Sequence, residues 1–214
     1  MARKPNKHGG GAKTTTNGLK FERDTDFSEL VDSLPGYEVK EIDFKDRKAT
    51  KGFEVFRVGE EEIIGKIMPQ YRFYDFLKEL GIKNTNSKQW KPDEVFINFE
   101  NHTVYIVEKK WQESEGSVDE KLLGFGNKRR IYQRLLDSVQ EGEPFSVQFI
   151  FVGNKSFFGQ DKYRDTFEML RGDGIKIMLD EYDMTFFGLF LLQGELWILI
   201  LTFLHHQKID YKIF

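Results

Sequence analysis

Apolar residues first fall at helical spacing. Leu19, Phe27, Leu30, Val31 and Leu34 form one stripe, which predicts a helix starting at Asn17 and ended by Leu34-Pro35-Gly36. Residues 37–67 change to short runs separated by glycines and charges. YEVKEIDF, FEVFRV and EIIGKI read as three strands. Residues 71–80 return to helical spacing and stop at Gly81, where the polar loop GIKNTNSKQWK begins. PDEVFINF and TVYIVEKK are two apolar runs around a polar turn centred on Glu100 and Asn101, which predicts a β-hairpin. SVDEKL has Ser117 and Glu120 three apart, as in a capping box. Gly124 and Gly126 interrupt that helix, and it resumes over 128–139 with Ile131, Tyr132, Leu135, Leu136 and Val139 on one face. FSVQFIFVG reads as a buried strand, DKYRDTFEMLR as a helix and GIKIML as the last strand.

The two ends depart from this pattern. Residues 1–16 read as a flexible basic arm, with Lys13 among its cations and no acid, able to touch phosphate. Residues 17–185 form the main domain. Residues 186–214 are an apolar C-terminal element, whose run over 186–204 approaches the length of a membrane span. Gln193 and Glu195 interrupt that run, which favours a buried terminal element or a dimer surface over a span.

Composition narrows the chemistry. The 214 residues suffice for one large domain, and 39% hydrophobic with 31% charged residues is a globular balance. With 21 phenylalanines, aromatic packing should dominate the core. The lack of cysteine excludes disulfides, thiolate zinc sites and cysteine nucleophiles. A net charge of −3 excludes coating of nucleic acid by bulk charge but leaves room for a local basic groove. The basic, glycine-rich N-terminus has no signal-peptide pattern, so a cytoplasmic location is expected. His8, His102, His205 and His206 have no ligand spacing, and Gly9–Gly11 lack the Lys-Ser/Thr of a phosphate loop, so no nucleotide cofactor is expected.

The hairpin carries the chemistry. Alternation puts Asp93, Val95 and Ile97 on one face of the first strand, and Val104, Ile106, Glu108 and Lys110 on one face of the second. A loop of two or four residues pairs 98 with 103 and sets Asp93 across from Glu108, about 5 Å apart at Cβ. A three-residue loop would send the acids to opposite faces. Two carboxylates that close repel unless a cation lies between them. Mg²⁺ takes hard oxygen ligands of this kind, with waters and phosphate oxygens completing its shell. Lys110 reaches the same space, where it can orient or help deprotonate a bound water and stabilise phosphate charge.

Pro92, Asp93, Glu108 and Lys110 resemble the signature of the PD-(D/E)xK nuclease superfamily. NGLKFE, KPDEVFI, VEKKWQ and GSVDEKL, in that order, resemble type II restriction endonucleases over roughly residues 9–180. The resemblance implies an α/β (α+β) fold, with a central mixed β-sheet flanked by helices. It implies a Mg²⁺-dependent endonuclease that cleaves double-stranded DNA to 3′-hydroxyl and 5′-phosphate ends. Asp93, Glu108 and the Lys109 carbonyl would be metal ligands, Lys110 the catalytic lysine, and Glu22 a supporting acid on the first helix. Gln112 continues the alternation from Lys110 and would contact phosphate or order the site.

DNA also needs cations that hold its backbone. Lys128, Arg129, Arg130 and Arg134 fall mostly off the apolar face of their helix and are the candidates, and the loop 81–91 is rich in base-reading residue types. A symmetric target would go with a homodimer. The alternatives are a repair or junction-resolving nuclease of the same superfamily, a non-catalytic DNA-binding module, and a membrane-associated protein anchored by its tail.

Overall fold

The computed structural model describes residues 11–46, 49–114 and 118–190, with side chains from Thr16 onward. Seven strands form one mixed sheet in the order of the chain: β1 (Tyr37–Glu41), β2 (Phe53–Arg57), β3 (Ile63–Ile67), β4 (Glu94–Asn98), β5 (Thr103–Lys110), β6 (Ser146–Gly153) and β7 (Ile175–Leu179). The first five are antiparallel neighbours, whereas β5, β6 and β7 run parallel. This is the helix-flanked mixed sheet that the sequence resemblance implies.

Helices cover the sheet because its central strands are apolar on both faces. α3 (Tyr71–Glu79), α4 (Val118–Leu123), α5 (Phe125–Leu136), the one-turn α6 (Lys155–Phe158) and α7 (Arg164–Gly172) accompany one core, built around Val95, Ile97, Val104, Ile106, Phe149 and Phe151. α1 (Gly11–Asp24) and α2 (Phe27–Asp32) pack on the other, with Phe96, Tyr105, Val107, Ile150 and Val152. Both cores are aromatic: Phe27 lies 4.7 Å from Phe187 between ring centres, and Phe151 lies 5.0 Å from Phe158.

Three boundaries differ from the sequence pattern. The first helix starts at Gly11 rather than Asn17, and so takes in the end of the expected flexible arm, because residues 12–17 contain no proline or glycine to stop it. Residues 1–10 lie outside the described residues. The stripe from Leu19 to Leu34 is split into two helices, because the Asp26 carboxylate accepts from the Ser28 and Glu29 main-chain nitrogens and caps a new start. Gly124 separates α4 from α5 as expected, but Gly126 lies inside α5, where a Cβ would come within 2.4 Å of the Asp173 carboxylate unless that side chain moved.

At the C-terminal end, Phe187 and Leu189 are buried in the second core, and Tyr37 Oη bonds both the nitrogen and the oxygen of Phe190. The boundary drawn at 185/186 therefore runs through a packed segment. The remainder of the apolar run, from residue 191, lies outside the described residues, and no described helix is long and apolar enough to cross a membrane.

The β4–β5 register follows from one side chain. The Asn98 carboxamide oxygen accepts from the Glu100 and Asn101 nitrogens and closes the turn, while its Nδ2 donates to the Phe187 carbonyl. Asn98 then pairs with Thr103 and Glu94 with Val107, which leaves a four-residue loop. This register places Asp93 across from Glu108.

Candidate active site

The charged cluster forms where β5 ends. Asp93 precedes β4, and its Oδ2 accepts from the main-chain nitrogen of Lys109 at 2.7 Å, which fixes the carboxylate against the neighbouring strand. Glu108 is buried, with 4% of its surface exposed, so its charge must be compensated. Lys110 Nζ does this from one side, 3.4 Å from Glu108 Oε2, and it also lies 3.1 Å from Asp93 Oδ2. Lys128 reaches over from α5 and donates to Glu108 Oε1 at 2.8 Å.

Burial lowers the affinity of Lys110 for its proton, but the charges of Asp93 and Glu108 outweigh it, so its pKa stands above the ordinary lysine value. Lys110 is therefore an ammonium at neutral pH in this arrangement.

A divalent cation fits the donor set. Asp93 Oδ2, Glu108 Oε2 and the Lys109 carbonyl oxygen all converge on one positive atom, Lys110 Nζ, with the carbonyl 2.6 Å from it. The ammonium stands in for a cation among three hard oxygens. Among the described residues no group of three or more His, Asp or Glu side chains could hold a metal.

A family model for the PD-(D/E)XK nuclease superfamily domain matches residues 37–150, more than half of the chain, and includes all of this cluster. The chain belongs to the PD-(D/E)XK nuclease superfamily. Members generally use Mg²⁺ or a similar divalent metal, in keeping with the oxygen set described above. No curated protein and no solved structure matches the chain significantly.

The remaining sequence-derived candidates divide. Glu22 lies on α1, outside the matched residues, with an exposed side chain. Only its main-chain carbonyl is linked to β5, 3.4 Å from Lys109 Nζ, because alternation turns Lys109 to the sheet face opposite Glu108 and Lys110. The structure thus does not bring the Glu22 carboxylate to the acid pair through any hydrogen bond or ion pair. Gln112 turns aside: its Nε2 donates to the Ser114 carbonyl at 2.6 Å. Its main chain matters more, because the buried Asn154 side chain bonds both its nitrogen and its oxygen, at 2.9 and 3.0 Å.

Of the basic residues on α5, Lys128 and Arg134 border the open side. Arg129 packs its guanidinium against Gly174, and Arg130 pairs with Asp173 at 3.6 Å. Both side chains lie at the turn before β7, where Asp173 supplies the counter-charge of Arg130. The Lys13 side chain lies outside the described residues.

Beside Lys110 a cleft of about 610 Å³ runs between α5 and the loop 81–91, walled by Lys88, Trp90, Phe125, Lys128 and Ile131. Ile131 also borders a second hollow, shared with Lys83, Asn86 and Arg134. Two neighbouring hollows that meet at Ile131 thus lie between the loop and α5; the one beside Lys110 also takes in Glu120 and Lys121 of α4.

Two features were missed at the sequence level. Asn154 follows the buried strand β6, and a polar residue directly after such a run was the available signal. Lys109 forms a buried ion pair with Glu94 at 2.8 Å, and the pairing of Glu94 with Val107, two residues before Lys109 on the same face, could have shown it.

Proposed function

We propose that this nuclease is a Mg²⁺-dependent endonuclease of double-stranded DNA, of the type II restriction kind. The observation that carries the reading is the convergence of Asp93, Glu108 and the Lys109 carbonyl on the Lys110 ammonium, beside a cleft edged by lysines.

Asp93, Glu108 and the Lys109 carbonyl would hold the cation, which supplies Lewis acidity and lowers the pKa of bound water. Lys110, freed from the carboxylates it now bridges, orients the attacking water and offsets charge on the phosphate. Water adds in line at phosphorus and the P–O3′ bond breaks, leaving a 3′-hydroxyl and a 5′-phosphate. Lys128 orients the buried Glu108. Arg134, Lys83 and Lys88 line the two hollows as candidates for phosphate contact, with Asn86 among the base-reading types of the loop. A two-fold dimer reading a symmetric target would complete the arrangement.

Incubation with plasmid and phage DNA in Mg²⁺ tests this. Discrete fragments that disappear with EDTA and in Asp93→Ala are expected. Undiminished metal-dependent cutting by the Glu108→Ala, Lys110→Ala double variant would refute the assignment of the site.

A further inference from the structure

The cleft beside Lys110 is built unlike a plain phosphate track. Backbone phosphates require only cations and donors. This cleft instead has an aromatic and aliphatic lining, the half-buried Trp90 and Ile131 over the buried Phe125, with lysines and Glu120 at its edge. An aromatic surface among cations matches a base plane and its phosphates together. We propose that the cleft receives one nucleobase turned out of the duplex beside the scissile phosphate, so that a readily unpaired nucleotide within the double-stranded site strengthens binding. The inference rests on the nuclease reading of the adjoining acid pair and specifies its substrate.

Position and rigidity support it. The Lys128 ammonium lies 2.8 Å from Glu108 Oε1, 5.4 Å from the centre of the Phe125 ring and 5.8 Å from that of Trp90, so one side chain spans the acid and the aromatic wall. Trp90 is half-buried against the core, and its carbonyl accepts from Tyr74 Oη at 2.8 Å. Two residues on, the Pro92 carbonyl accepts from the Gln70 nitrogen, and the next residue is Asp93. The ring and the acid therefore belong to one pinned strip of chain. The cleft volume lies within the range of small-molecule sites, which accommodates a nucleoside.

Lys88 Nζ now lies over the Trp90 ring, 4.4 Å from its centre. Lys88 is exposed, and a cation–π contact in water is weaker than base–aromatic stacking. An incoming base takes the ring face and its phosphate takes the ammonium. Turning a base out costs least where pairing is already broken, so tighter binding at bulged or mismatched sites follows from the same geometry.

Binding of the full chain to fluorescein-labelled DNA, in EDTA to prevent cutting, tests this. The probes are a fully paired duplex and the same duplex with one bulged nucleotide. The wild type should bind the bulged probe more tightly, by roughly tenfold, the usual worth of one stacked base. Trp90→Ala should abolish that ratio and Trp90→Phe should keep much of it. Should Trp90→Ala not fold, as judged by thermal unfolding, Trp90→Leu keeps the apolar packing without an aromatic face and carries the same comparison. Equal wild-type binding of both probes, or a ratio unchanged in the folded variant without an aromatic ring, overturns the inference. Cutting that depends on Asp93 is read separately in Mg²⁺, so failure here is distinguishable from failure of the nuclease reading.

Discussion

Glu94 and Lys109 form a buried ion pair on the face of the sheet opposite the candidate site, with Lys109 Nζ 2.8 Å from Glu94 Oε1. The same ammonium donates to the Thr25 carbonyl, just past the end of α1. Burial raises the Glu94 pKa above the ordinary value against the pull of Lys109. Removing one partner leaves a buried charge alone, so Lys109→Met should destabilise the fold by about 3–5 kcal/mol. The double variant Glu94→Leu, Lys109→Met should recover most of that loss. Urea denaturation of the three proteins measures it.

Lys110 and Lys128 both touch Glu108, but in different capacities. Lys110→Ala should reduce cleavage by on the order of 10²–10³-fold, as expected for loss of a group that stabilises developing charge. Lys128→Ala, which removes only a supporting partner of Glu108, should cost about 10–100-fold. Initial rates on one plasmid substrate at saturating Mg²⁺ rank them, and equal losses would argue against separate roles.

Arg134 borders the second hollow, whereas Arg130 pairs with Asp173. Arg134→Ala should weaken DNA binding across sequences and lower the slope of log K against log salt by about 1. Arg130→Ala should leave that slope unchanged. Fluorescence anisotropy over a salt series separates the two.

Tyr132 is fully buried in α5, and its hydroxyl has no hydrogen-bond partner among the described residues. Burial raises its pKa strongly, and the nearby negative charge of Glu108 adds to this. A buried hydroxyl without a partner is a net cost, so Tyr132→Phe should stabilise the fold by about 1 kcal/mol. A rise in the urea midpoint at constant slope is the expected reading.

Tyr74 supports Trp90 through its hydroxyl, and burial pushes its pKa up to about 12, against the opposing effect of that hydrogen bond. The folded state thus holds the proton more tightly than the unfolded chain, whose tyrosines titrate near the ordinary value of about 10. Its stabilising contribution is complete below about pH 10 and is lost as pH rises towards 12. Thermal midpoints over this range should fall more steeply for the wild type than for Tyr74→Phe.

Much of this was legible in the sequence where local rules suffice. The parity of the hairpin loop and the alternation of side chains set Asp93 across from Glu108 before any coordinates, because register in a two-residue repeat admits few choices. The directions of Arg129 and Arg130 were not legible. Both are basic positions on a helix, and only the distant Asp173–Gly174 turn draws them away from Lys128 and Arg134. The break at Asp26 was obscured by an apolar stripe that continues into the next helix. Gly126 was read as an interruption because the sequence does not reveal which atom lies beside it. The helical acid Glu22 was placed by motif order alone, and in the fold the link from its residue to β5 runs through its carbonyl, to Lys109 Nζ.

The clasp that Asn154 places on Gln112 acts as a mooring for everything downstream. The strand carrying Glu108 and Lys110 is thereby tied to the end of β6 just beyond its last charged residue. Peptide inserted after Ser114 should leave the spacing of the reactive groups undisturbed, which makes this junction a natural place to graft new recognition elements onto the enzyme.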